Sequence, residues 1–331
     1  VNVFITGAAG FIGGYLARYC ADRGCRVLGV DLEPGDPPPG AAFEFCDVRD
    51  AERLARLLQQ FAPDRVFHLA AQSSPVVSVQ QPWRTLEINT AGTINLLEAV
   101  RGIAGRPAVV IACSSGQYGT VRREDLPVRE DHPFRPAHPY GISKVAQDLL
   151  AAHYFERHGV RSIRMRIFNT TGPGKIGDVC SDLTKRAIEI DAGLRPPPLP
   201  VGNLTSVRAI GDVRDLVHGL WLAAERCRPG DAYNIGATHV YSVQDVVDII
   251  GGHLRRALLA RQDPELVRDY DEPVIAGDVS KFVGCSGWVP GIDLGATIRD
   301  MLDWWAARLR AGGCGRPSGP PGKVHDNQAG E

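Results

Sequence analysis

Short apolar runs and longer amphipathic stretches alternate from the first residue: "VNVFIT", "IGGYLARYCADRG", "RVLGV", "DAERLARLLQQF" and "RVFHLA". β-branched runs bounded by turn residues predict strands, whereas apolar positions recurring every three to four residues predict helices. The alternation continues through "TAGTINLLEAVRGI", "AVVIACSS" and "PYGISKVAQDLLAAHYFERHG" to "RSIRMRIFN". It predicts roughly six strands before Asn169 and an α/β fold, a Rossmann-type doubly wound parallel sheet with helices on both faces. Gly24 in "DRGCRV" and Gly159 in "ERHGVRS" stand where helices should stop, because glycine enters the left-handed region without steric cost.

Beyond Asn169 the pattern changes. "NTTGPGKIGDV" and "GLRPPPLPVGNLTSVRAIG" are rich in loop residues, with a helix "SDLTKRAIEIDAG" between them, and "DLVHGLWLAAE", "AYNIG", "SVQDVVDIIGGHL" and "GATIRDMLDWWAARLRAG" supply further elements. The expected organisation is a dinucleotide-binding domain over 1–168 with later segments returning to it, and a smaller α/β substrate-binding lid, mainly 169–311. The Gly- and Pro-rich stretch 312–331 is expected to be a disordered tail.

Composition narrows the class. The 331 residues are 44% hydrophobic and 23% charged, enough apolar material for a large core, and the formal net charge of -1 offers no basic surface for nucleic acid or anionic lipid. No apolar run reaches the ~18 residues of a membrane span, and the start lacks the basic region of a signal peptide. The 8 cysteines include no C-x-x-C pair, which argues against a metal site or a disulfide framework. A cytoplasmic protein with reduced thiols is expected.

Two local patterns carry chemistry. In "ITGAAGFIGG", Gly7, Gly10 and Gly13 follow a strand and open a helix, the arrangement that brings a pyrophosphate onto a helix N-terminus. Asp31 ends the second strand at the distance expected of a carboxylate that accepts hydrogen bonds from the adenosine ribose. A carboxylate there repels the extra phosphate of NADP, so NAD is the expected cofactor and NADP the alternative. Further along, Tyr140 and Lys144 are one helical turn apart, and Ser114 closes a strand ahead of them. The ammonium, together with the charge of an oxidised nicotinamide, is expected to lower the phenol's pKa and let Tyr140 move a proton while Ser114 holds the same substrate oxygen. Asn89 in "EINTAGTINLLEA" is expected to open a helix between these patterns.

Together these stretches resemble the extended short-chain dehydrogenases/reductases that act on nucleotide sugars. The likeness runs from Val3 to about Trp305 and rests on "TGAAGFIGG", "CDVRD", "HLAAQSS", "NTAGTINLLEA", "SSGQYG", "PYGISK", "RIFNTTGPG", "VGNLTSVRAIGDVRD" and "YNIG". The resemblance implies a triad of Ser114, Tyr140 and Lys144. It implies cofactor contacts from Gly7, Gly10, Phe11, Ile12, Gly13, Asp31, Asp47, Val48, Leu69, Ala70, Ala71, Asn89, Tyr140 and Lys144, with Asp47 on the adenine amino group. Gln72, Ser115 and Asn169 would touch the substrate. Within the family the chain looks most like the branch of GDP-mannose 4,6-dehydratase and GDP-6-deoxy-4-keto-mannose reductase, which implies that Arg208 and Arg268 clamp a diphosphate. Ala209 and Lys175 depart from that branch, which usually has an aspartate and often a glutamine there.

The turn after the central strand is informative for what it lacks. The family's 4,6-dehydratases carry a glutamate that abstracts the C5 proton; aligned on Tyr118 and Gly119, this chain has Gly116 in its place. The nearest carboxylates, Glu124 and Asp125, lie beyond the turn in a charged loop, and Glu124 and Glu130 are the first substitutes to test. Losing a positioned base forfeits about 10² to 10⁴ in rate, so water elimination is disfavoured. A 4-keto-6-deoxy-hexose reductase acting on a GDP-sugar leads, ahead of a 4-epimerase with tightly held NAD. A dehydratase and a non-catalytic dinucleotide-binding protein stand further back. A nucleotide-sugar substrate and a homodimer are the expected partners, with no metal, no nucleic acid and no membrane.

Overall fold

A seven-stranded parallel sheet with strand order β11-β6-β5-β4-β1-β2-β3 organises the chain. The computed structural model describes residues 1–33, 35–267 and 274–312. The first half comprises β1 (Asn2–Thr6), α1 (Phe11–Asp22), β2 (Arg26–Asp31), β3 (Ala41–Phe45), α2 (Ala51–Phe61), β4 (Arg65–His68), α3 (Pro75–Gln80), α4 (Pro82–Leu86), α5 (Gly92–Arg101), β5 (Ala108–Ser114), α6 (Pro139–His158) and β6 (Ser162–Ile167). All six strands expected before Asn169 are present.

Period-2 alternation builds two cores from one sheet. Val3 and Ile5 of β1 face one side with Leu16 and Tyr15, while Phe4 faces the other with Leu54, Leu58, Leu96 and Leu97. The strand order reverses between β1 and β4, so the loops leaving their carboxyl ends diverge and open a crevice. Gly24 and Gly159 both take positive φ where α1 and α6 end.

The second half contains β7 (Thr170–Thr171), α7 (Val179–Asp191), β8 (Leu199–Val201), β9 (Val207–Ala209), β10 (Gly211–Asp212), α8 (Val213–Arg226), β11 (Ala232–Ile235), β12 (Val240–Ser242), α9 (Val243–Leu254), β13 (Ala260–Gln262), β14 (Val274–Ile275), α10 (Ser280–Ser286) and α11 (Leu294–Arg310). α7, α9 and α11 enclose a separate core around Leu183, Val246, Ile250, Ile298 and Met301. The segments that return to the large sheet are α8, α10 and β11: Leu220 and Phe282 enter its first core, and β11 pairs with β6. Of the tail, only Gly312 lies within the described residues, in a turn after α11. No described helix is long and apolar enough to cross a membrane. The described cysteines are unbridged, with the Cys227 and Cys285 sulfurs 2.7 Å apart.

One expectation needs correction. Asn89 does not open a helix; it lies in a π-helical turn, Glu87–Ala91, that joins α4 to α5 without a break. Its amide is occupied in tying neighbouring backbone together: Nδ2 donates to Gln72 O (3.0 Å) and Ser143 Oγ (2.8 Å), and Oδ1 accepts from Gln72 N (2.7 Å).

A buried polar chain next to Asn89 fixes the strand ends that border the crevice. Thr93 gives its single hydroxyl proton to Asn89 O (2.7 Å) and accepts from Gln147 Nε2 (2.6 Å), so it can only accept from His68 Nε2 (2.9 Å). His68 Nδ1 must then accept from Thr6 Oγ1 (2.8 Å), which itself accepts from Ala70 N (3.2 Å). Burial pushes the His68 pKa down to about 3, with the Lys144 charge acting in the same direction. The unfolded chain therefore takes up this proton first. Stability is intact above the unfolded value of about 6.5 and is lost as pH falls towards 3, by up to about 1.4 kcal/mol per unit. Urea titrations should show the unfolding free energy dropping by roughly 1 kcal/mol between pH 7 and 5.5, and His68→Gln should flatten that slope. An imidazole that titrates in the native protein near pH 6.5 by NMR would contradict the assignment.

Candidate functional site

The crevice at the strand reversal is a cavity of about 1000 Å³. Its floor at one end is the turn from β1 into α1. Gly7 has φ +72°, and a Cβ there would lie 2.7 Å from Ala70 N; a Cβ on Gly13 would collide with the Gly7 carbonyl. Only glycine lets the strand, the turn and the helix approach this closely. Whereas α2, α7, α8, α9 and α11 each begin on a capping Asp or Ser side chain, α1 begins on Gly10 with no side-chain cap and no acid in its first turn. Its N-terminal N–H groups and dipole face the cavity, a donor set that fits a dinucleotide pyrophosphate. Asp31, at the end of β2, accepts from Ala9 N (3.0 Å) and Leu32 N (2.7 Å) and lines the same end.

The other chemistry is assembled by α6 against the end of β5. Pro139 occupies the first turn of α6, and His138 caps it by accepting from Gly141 N at 3.0 Å. From that start, positions 140, 144 and 148 fall on one face, the first two against the end of β5 and the third against β6. Tyr140 comes close enough to Ser114 for the serine side chain to lower the phenol's pKa. Lys144 Nζ donates to Ala112 O at 2.6 Å. Asp148 accepts from Gln117 Nε2 (3.0 Å), while Gln117 Oε1 accepts from Ser114 N (3.4 Å). Asp148 is also paired with Arg164 and Arg166, each at 2.8 Å. Burial works to raise its pKa, but the Arg166 hydrogen bond and both guanidinium charges hold it below the usual range.

The ionisation of Tyr140 in the protein alone departs from expectation. Burial raises the phenol's pKa, and the Ser114 side chain opposes this only in part. The Lys144 ammonium is 5.7 Å from the ring centroid and directed to a backbone carbonyl, so it does not dominate the phenol. Burial instead lowers the Lys144 pKa to about 8. Cys113 is buried beneath the turn with its thiol pushed up by burial, which suits a packing role rather than a nucleophile.

The remaining sequence-proposed residues converge here. Phe11, Ile12, Asp47, Val48, Leu69, Ala70, Ala71, Gln72, Ser115, Asn169 and Arg208 line the cavity with the glycines, Asp31, Ser114, Tyr140 and Lys144. Asn89 does not: it is fully buried and holds the wall from behind. Arg268 lies outside the described residues. Asp47 is engaged by Arg49 (2.6 Å), whose hydrogen bonds lower its pKa. Arg49, inside "CDVRD" but not among the expected site residues, therefore lines the cavity beside Asp47. Ser206, inside "GNLTSVRAIG", was missed as well; its Oγ and Asn169 Nδ2 are buried without a protein partner in the cavity wall. Among the described residues, no group of three or more His, Cys, Asp or Glu is placed to hold a metal.

Neither substitute carboxylate reaches the cavity. Glu124 is paired with Arg122 on the surface, and Glu130 accepts from Asn234 N at 2.8 Å. Beside Gly116 stands the His138 ring, stacked on Tyr140 with centroids 5.9 Å apart.

A cavity lined by an uncapped helix start and by Ser114, Tyr140 and Lys144 fits an NAD(P)-dependent enzyme. The sequence profile described as GDP-mannose 4,6 dehydratase matches residues 4–301. The GDP-6-deoxy-D-mannose reductase of Pseudomonas aeruginosa is 28% identical over 313 residues, covering 93% of this chain and 98% of that protein. The UDP-glucose 4-epimerase of Streptomyces lividans is 29% identical, covering 91% and 94%. The structure of RMD from Pseudomonas aeruginosa complexed with NADPH superposes with a TM-score of 0.82 at 26% identity, covering 93% of this chain and 99% of that one. The chain belongs to the NAD-dependent epimerase/dehydratase family of extended short-chain dehydrogenases/reductases, in the GDP-mannose 4,6-dehydratase and reductase branch.

The glycine at 116 is not a steric requirement. A Cβ there would meet only ordinary contacts, 3.5 Å to the His138 ring and to Ser114 Oγ, whereas one at Gly119 (φ +65°) would collide with the Arg135 carbonyl. Gly116→Ala should leave the unfolding free energy within about 0.5 kcal/mol, while Gly119→Ala should cost more than about 2 kcal/mol. Comparable losses for the two variants, measured by denaturant titration, would show that position 116 is closed to side chains.

Proposed function

We propose that this chain is a nucleotide-sugar reductase that converts the 4-keto group of a GDP-linked 6-deoxy-hexose to an alcohol. The observation that carries this reading is the turn at Gly116: Ser114, Tyr140 and Lys144 line one cavity, and the turn beside them has a glycine where the family's dehydratases carry the glutamate for water elimination. Residues 1–168 with the returning segments would hold the dinucleotide, and 169–311 most of the substrate. Asn169, Arg208 and Arg268 would hold the diphosphate, and Gln72 and Ser115 the sugar. Asp31 supports NAD over NADP, since its carboxylate occupies the ribose end.

A reduced nicotinamide held by the glycine loop and Asp31 would supply the hydride. Ser114 and Tyr140 donate hydrogen bonds to the ketone oxygen, and Tyr140 gives up its proton as negative charge develops there. The high pKa that burial imposes keeps Tyr140 protonated and ready for this step. Lys144 holds the Ala112 carbonyl and places positive charge beneath the ring.

A 4-epimerase is the second reading, favoured by the same Asp31, because an epimerase retains its NAD through the cycle. A homodimer is supported by Val79, Trp83, Ile142 and Leu149, which leave an apolar surface on α3, α4 and α6.

Supplied with a 4-keto-6-deoxy nucleotide sugar and reduced nicotinamide, the protein should oxidise one cofactor per sugar reduced. Given GDP-mannose and NAD, it should form no 4-keto-6-deoxy product. Steady dehydration would overturn the Gly116 argument; 4-epimer formation without net cofactor oxidation would select the second reading. Tyr140→Phe should lower kcat by at least ~10² with cofactor affinity nearly unchanged. The value of kcat/KM for the cofactor should fall above about pH 8, where the Lys144 ammonium is lost; a flat profile to pH 9.5 would remove Lys144 from this role.

A further inference from the structure

The glycine loop carries no full charge. From Gly7 to Gly13 its residues are Gly, Ala, Ala, Gly, Phe, Ile and Gly, so a bound pyrophosphate would meet only backbone N–H groups and the helix dipole there. A cation does approach, from the other half of the chain. Lys175, in the loop between β7 and α7, places Nζ 5.0 Å from the centroid of the Phe11 ring, and both residues line the cavity.

The loop that carries Lys175 is built to hold it there. Its N–H donates to Gly172 O (3.0 Å), and its carbonyl accepts from Ser181 Oγ (2.5 Å) on the first turn of α7. The loop is moored to the dinucleotide helix itself: Tyr15 of α1 donates its hydroxyl to Pro173 O at 2.8 Å, and the Tyr15 and Phe11 rings meet edge to face at 5.6 Å. Of the other described cations lining the cavity, Arg208 is assigned to the substrate diphosphate and Arg84 donates to Gln81 Oε1. Arg49 pairs with Asp47 and Glu87, Lys144 donates to Ala112 O, and Arg186 donates to Pro200 O.

We propose that Lys175 is a ligand of the cofactor's pyrophosphate, supplying from the substrate half of the chain the full positive charge that the glycine loop lacks. The inference rests on the dinucleotide site of the proposed function and adds to it. Because the loop continues into α7, the same contact would link cofactor binding to the wall of the sugar site. An ammonium beside a diphosphate forms charge-assisted hydrogen bonds, and the contact is partly exposed, so it should weaken with salt.

The test is direct binding. NADH is titrated by fluorescence into the full chain freed of nucleotide, at about 0.05 M and about 0.5 M salt. Lys175→Met should raise Kd about five- to tenfold at low salt and less than about twofold at high salt, with Lys175→Arg within about twofold of wild type throughout. Adenosine, which lacks the pyrophosphate, should bind all three proteins equally. An unchanged Kd for Lys175→Met, a loss of the same size at both salt concentrations, or equal weakening of adenosine would overturn the proposal. So would weakening confined to a nucleoside diphosphate, which would place Lys175 on the substrate instead. Failure of the wild-type protein to bind NADH would count against the dinucleotide site itself, a distinguishable result.

Discussion

The buried charge at Asp148 organises the centre of this molecule. Its carboxylate is inaccessible to solvent and sits between Arg164 and Arg166, themselves largely buried. Such a cluster contributes little to net stability, because desolvating three charges costs several kcal/mol per ion, but losing one member is expensive. Its value here is positional. Both arginines belong to β6 and the aspartate to α6, so the pairs set the height of the helix against the sheet. Gln117 then passes that position on to Ser114, and Arg166 reaches on to the Tyr118 hydroxyl at 2.9 Å and Glu130 O at 2.7 Å. Tyr140 is brought up to Ser114 because the helix two turns further along has nowhere else to settle.

Much of this was legible from pattern. Strand and helix periodicity predicted the parallel sheet, and the glycine spacing with Asp31 picked out residues that line one end of the cavity, because backbone crowding of the kind seen at Gly7 and Gly13 leaves an imprint on residue type. What pattern could not show were interactions between distant segments. Asn89 looked like a helix start and a cofactor contact, yet its amide is consumed by Gln72 and Ser143, a pairing across 54 positions for the latter. Arg49 and Ser206 lay inside quoted motifs but gained significance only when folding brought them to the cavity wall. At Tyr140, sequence spacing places Lys144 near the ring, whereas burial and the Ala112 carbonyl decide what the ammonium does in the protein alone.

The crevice depends on both halves without belonging to either. β1 and β4 pair side by side, but the sheet order reverses between them, so the loops leaving their ends part and expose the start of α1. β11, by contrast, brings the chain back to the edge of the same sheet beside β6, where Asn234 receives the Tyr118 hydroxyl at 2.7 Å through Oδ1 and donates to Val128 O at 2.8 Å. The turn after β5 is thus braced from a strand about 116 positions later.

The π turn at Glu87–Ala91 has a consequence for helical phase. One extra residue in a helix rotates everything beyond it by about 100° relative to an uninterrupted α-helix. Before the turn, α4 packs against α6; after it, α5 packs chiefly against α2 on the sheet's outer layer. A single rod thereby presents differently oriented faces to two neighbours that no unbroken heptad-like stripe would satisfy together. The length of this segment is consequently more tightly constrained than its composition. Side chains along it can be exchanged for others of similar size, but adding or removing one residue would turn the whole downstream face away from its partner.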